Sequence, residues 1–122
     1  MIQKFIHKKY LPVYILVFIF VGIVVISLMP SSGIKSQSIF NIPNFDKIGH
    51  FIAYLAFSFF AGLVFSRKQK YMIALILGFV LGIVLEKIQS FIPGRSMSIF
   101  DVYANTAGLI SGFIVIYFLQ KK

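Results

Sequence analysis

Four long apolar stretches divide the chain, and its charged residues gather at their ends and in the connections. The first predicted span runs from about Tyr10 to Met29, with Pro12 in its first turn and Pro30 marking its end. Proline costs little in a first turn, where its missing N–H has no helical acceptor to lose. Three further spans are predicted at about 47–65, 71–88 and 101–119. Each stretch is about 17–20 residues, enough for a helix to cross roughly 30 Å of hydrocarbon. The expected fold class is therefore all-α: an integral membrane protein built as a four-transmembrane-helix bundle, with residues 1–122 forming one domain. No Ala-x-Ala site follows the first stretch, which is read as a span and not as a cleaved signal.

The faces of these helices are patterned. Asp46 and His50 are four residues apart at the start of the second span and share a face, which continues through Ala53 or Tyr54, then Phe57 or Ser58, then Ala61 or Gly62. Gly78, Gly82 and Glu86 repeat at four-residue spacing on the third span, with Gln89 one turn on. On the fourth, Asp101, Asn105, Gly108 and Gly112 make a comparable line. Small residues at this spacing let membrane helices approach closely, because lipid offers no hydrophobic contrast to drive association. Gly78, Gly82, Gly108 and Gly112 are thus expected at helix contacts, and each stripe leads to polar groups at the same end of the bundle.

Composition and charge support this reading. Hydrophobic residues make up 59% of the chain and charged ones 12%, far from the roughly 45–50% apolar content of a soluble domain. The net charge of +9 would raise the question of nucleic acid, but position decides otherwise. Lys4, Lys8, Lys9, Arg67, Lys68, Lys70, Lys121 and Lys122 all fall at alternate segment ends with no acidic residue among them. The positive-inside bias then sets both termini in the cytoplasm. Lys35, Lys47, Lys87 and Arg95 face Asp46, Glu86 and Asp101 on the other side. No nucleic-acid partner is expected. There is no cysteine, so neither a disulfide nor a thiolate site can be built.

All three acidic residues, His50, Gln89, Arg95 and Asn105 therefore collect at the extracytoplasmic side. Glu86 lies inside an apolar run, where a carboxylate is costly unless paired or wet. Its natural partner is Arg95, delivered by the Pro93-Gly94 turn. Phe91, Ile92, Ile99 and Phe100 make this connection apolar enough to lie in the membrane interface. His7 sits among lysines at the opposite side and is assigned no chemistry.

With these elements in place, the chain resembles the VanZ-like family. The resemblance rests on Asp46-Lys47 with His50 and Tyr54, then Glu86, Gln89, Pro93-Gly94-Arg95, Ser98, Asp101, Asn105, Gly108 and Gly112. It covers about 43–112, and the first span matches only in kind. The resemblance implies a multi-pass protein of the bacterial cytoplasmic membrane and an association with glycopeptide resistance, especially to teicoplanin. It assigns no chemistry to individual residues.

Three classes of function fit the residues. The first is recognition of an anionic or glycosylated envelope lipid at the outer face, using Asp46, Lys47, His50, Tyr54, Glu86, Gln89, Arg95, Ser98, Asp101 and Asn105. Arginine's donor fork suits phosphate or carboxylate. The second is a membrane-embedded hydrolase or transferase on a lipid-linked substrate, with His50 as general base oriented by Asp46 and Glu86 or Asp101 as acid. A metal variant of it would use His50, Glu86 and Asp101 as ligands, but a single histidine makes no metal or other cofactor the expectation. The third is a structural or assembly subunit. Expected partners are membrane lipids, phosphorylated or glycosylated ones in particular, with a second copy of the chain as a further option.

Overall fold

The computed structural model describes residues 10–29, 45–93 and 98–121, except the side chains of Phe45 and Asp46. Within them are four helices: α1 (Leu11–Leu28), α2 (Phe45–Val64), α3 (Lys68–Gln89) and α4 (Ile99–Lys121). All four are long and apolar enough to cross a membrane, and no strand occurs among the described residues. The protein is an all-α, multi-pass membrane protein, with four spanning helices among the described residues. A helix is the form that satisfies every backbone N–H and C=O inside a single span, which hydrocarbon demands.

The predicted boundaries shift in understandable ways. Pro12 sits in the first turn of α1, and Met29, just before Pro30 in the sequence, is extended, as a residue preceding proline prefers. The predicted tight turn at Arg67–Lys70 is shorter, because Lys68 and Lys70 already belong to α3. Lysine stems can lie along the helix while their ammonium groups reach water, so helix persists into the basic flank. α4 likewise runs to Lys121, and it begins two residues before Asp101, placing that carboxylate in its first turn near the positive end of the helix dipole. Ile99 and Phe100, expected in the connection, are therefore helical.

α2 and α4 form the most intimate pair in the bundle, and glycine explains why. A Cβ on Gly108 would fall onto the Phe51 carbonyl oxygen and the Leu55 nitrogen; one on Gly112 would lie 2.6 Å from Leu55 O and from Ser58 Cβ. The helices touch backbone to backbone at these two positions. Around them are two apolar clusters. Tyr54, Phe57, Leu85 and Leu109 gather with Ile23 of α1, and Ala61, Tyr71 and Ile116 form a second group nearer the Lys68 end. The outward surface is apolar too, with Phe18 79% and Leu77 61% exposed. In lipid such exposure carries no hydrophobic penalty, and close packing, not apolar burial, holds the helices together.

One buried polar junction lies midway down the bundle. Ser58 Oγ donates to the Leu109 carbonyl at 2.8 Å, which leaves it as acceptor for the Tyr71 hydroxyl at 3.1 Å. Tyr71 also stacks on Phe113, centroids 5.7 Å apart. This junction ties α2, α3 and α4 through three side chains and a carbonyl. In the sequence Ser58 stands out only as a member of a stripe, and Tyr71 only as a helix start.

Candidate functional site

At the end of the bundle where α3 finishes and α4 begins, three helices deliver polar side chains to one place. His50 comes from α2, Glu86 and Gln89 from α3, and Asp101 and Asn105 from α4. The spacing of four on α4 and of three on α3 puts each pair on one helix face. Glu86 and Gln89 are each 1% exposed, while Asp101 and Asn105 are also buried. Burial of so many polar groups in a chain with only three acidic residues requires them to satisfy one another or a ligand.

His50 is the hub. Its Nδ1 lies 2.9 Å from Asn105 Oδ1, and an amide oxygen only accepts, so Nδ1 carries the proton. Nε2 then faces the site, 3.9 Å from Glu86 Oε1 and 3.9 Å from Asp101 Oδ2. The catalytic alternative assigns the orienting role to Asp46; among the described side chains, Asn105 holds the His50 ring. Asp46 belongs to α2, and its side chain lies outside the described residues.

The two carboxylates are held differently. Glu86 Oε2 accepts from the Ser98 backbone N–H at 3.3 Å, which fastens the start of α4 to the end of α3. Asp101 Oδ1 is 3.6 Å from Lys47 Nζ, and Lys47 is partly exposed at the rim. Lys87, on the same helix as Glu86, is exposed. Arg95, the expected partner of Glu86, lies outside the described residues. The Gln89 Nε2 amide is buried and makes no hydrogen bond among the described residues.

Gly82 forms the floor beneath these groups. A Cβ there would lie 3.0 Å from Asn105 Nδ2 and 3.3 Å from the Tyr54 hydroxyl, so the absent side chain is what lets both groups reach α3. A turn lower, Gly78 makes the same kind of room for Phe57. The structure thus places His50, Glu86, Asp101, Asn105, Lys47 and Ser98 together, with Tyr54 beneath them.

Chemically, the described cluster combines one imidazole nitrogen and two carboxylates at its centre with an ammonium at its edge. Residues 5–120 match the VanZ/LLP1 family model, and the chain belongs to that family. It matches no curated protein and no solved structure.

Proposed function

We propose that this protein recognises the polar head of an anionic or glycosylated lipid at the outer face of the bacterial cytoplasmic membrane, with both termini in the cytoplasm. The observation that carries this reading is the framing of the site. A buried polar cluster stands beside side chains suited to lipid, with Phe91 81%, Phe100 64% and Tyr103 61% exposed. A ligand reaching it must present a polar group while its apolar part lies against these residues. An open apolar groove between α3 and α4, lined by Leu75, Phe79, Thr106, Leu109 and Phe113, lies below the level of Glu86 and Gln89 on α3. Lys47 at the rim and the Gln89 amide supply donors, with Arg95 expected to add its fork. Holding a peptidoglycan-related lipid in this way would alter glycopeptide access to it, which agrees with the family's association.

A second reading is hydrolysis or group transfer on the same kind of lipid. The orientation of His50 by Asn105 favours it, since Nε2 is thereby presented to the site as a base requires.

Native mass spectrometry of gently solubilised protein with endogenous lipids retained tests the first reading. The wild-type chain should carry a reproducible lipid adduct that is lost in Arg95→Gln and reduced in Gln89→Ala. A folded wild-type chain with no preferred lipid would overturn it, and an adduct whose headgroup is shortened by the protein would transfer support to the catalytic reading.

A further inference from the structure

The geometry points to a divalent metal site formed by His50 Nε2, Glu86 and Asp101. One ligand atom from each residue lies within 4.8 Å of the other two. These residues are contributed by three different helices, so the convergence belongs to the tertiary fold and not to one local turn. The separation of 3.9 Å from Nε2 to each carboxylate oxygen is too long for a hydrogen bond. It is close to what a shared cation needs: a point equidistant from the three atoms is about 2.2–2.5 Å from each, against roughly 2.0–2.2 Å for zinc bound by nitrogen and oxygen. A contraction of a few tenths of an ångström would complete the coordination.

A second observation concerns the His50 ring. Metal-bound histidines usually give their other ring N–H to a carbonyl or carboxylate, which fixes the tautomer and the ring plane. Asn105 Oδ1 does this at 2.9 Å. The arrangement leaves Nε2 at 3.9 Å from one oxygen of each carboxylate, where a shared cation would bring the three together. Asp101 Oδ1, in a residue only 6% exposed, has no hydrogen bond among the described residues, although Lys47 stands at 3.6 Å.

The donor set limits the metal. One imidazole and two carboxylates without thiolate suit zinc, manganese or ferrous iron and disfavour copper(I). Three protein ligands leave at least one coordination position open. On the lipid-recognition reading, that position would accept a phosphate or carboxylate oxygen of the headgroup, and an anionic ligand could then enter an acidic site. Metal binding itself does not depend on that reading.

The test uses the untagged, chelator-treated full chain in detergent without added lipid, titrated with Mn²⁺ and followed by electron paramagnetic resonance. One equivalent per chain should bind, show modulation from a single imidazole nitrogen, be displaced by Zn²⁺ and raise the melting temperature. His50→Gln and Asp101→Asn should each weaken binding at least about tenfold. Asn105→Ala should weaken it roughly 10–100-fold while leaving all three ligands in place. Ser58→Ala, which lowers stability away from the site, should leave the affinity unchanged. Failure of the folded wild-type chain to take up Mn²⁺ or Zn²⁺ overturns the proposal. Uptake without the imidazole signature, or with affinity unchanged in both His50→Gln and Asp101→Asn, overturns it as well. Loss of the lipid adduct with metal uptake intact would remove only the lipid reading.

Discussion

Adding one methyl group at Gly108 should damage this protein far more than adding one at Gly49. At Gly108 the new Cβ would meet the Phe51 carbonyl oxygen and the Leu55 nitrogen, both backbone atoms of α2. Neither can rotate away as a side-chain tip would. Relief requires α4 to move off α2 by on the order of 1 Å along the contact, and overpacking of this kind costs about 1–3 kcal/mol or more. At Gly49 nothing lies within 4 Å of the built Cβ, so Gly49→Ala brings only the gain in helix propensity, up to about 1 kcal/mol. The two substitutions therefore have opposite signs. Gly108 is also one turn from Asn105, so the same displacement should lengthen the 2.9 Å contact to His50 and weaken the site along with the fold. Unfolding in mixed micelles, followed by circular dichroism, measures the difference, with Gly22→Ala as a second open-space control. If Gly108→Ala and Gly49→Ala changed stability equally, the close approach of α2 and α4 would be wrong.

Other expectations follow from the same structure. Ser58→Ala removes the acceptor of Tyr71 and the donor to Leu109 and should cost about 1–3 kcal/mol by leaving the phenol buried without a partner; Tyr71→Phe in the same chain should recover some of that loss, and strict additivity would argue against the junction. Lys47→Met should destabilise by about 1–3 kcal/mol, because Asp101 is then left with a less compensated charge, and adding Asp101→Asn should reverse much of it in the same micelle assay. For topology, single cysteines can be placed in a chain that has none. Gln69→Cys should react only from the cytoplasm, and Ser38→Cys and Ser98→Cys from outside; external labelling at 69 would invert the orientation. In a double-mutant cycle, Glu86→Gln and Arg95→Ala should show a melting coupling of about 1 kcal/mol or more, and zero coupling would separate the two residues.

The number of spans, and most of the side chains that gather at one end, are legible in the amino-acid order. Both are local consequences of lipid: a span must be about as long as the hydrocarbon is thick, and its ionisable residues must sit near an end or against a partner. Glu86 can be singled out on those grounds, as can the glycine faces of α3 and α4. Partner choice is another matter. That Asn105 holds His50, that Nε2 looks toward both Glu86 and Asp101, and that Tyr71 reaches Ser58 across the bundle all depend on how three helices are rotated about their axes. Periodicity specifies which residues share a face but not which face it meets. That information lies in the backbone contact at Gly108 and Gly112, which sets α4 against α2 and brings residues from distant stretches of the chain to the same few ångströms.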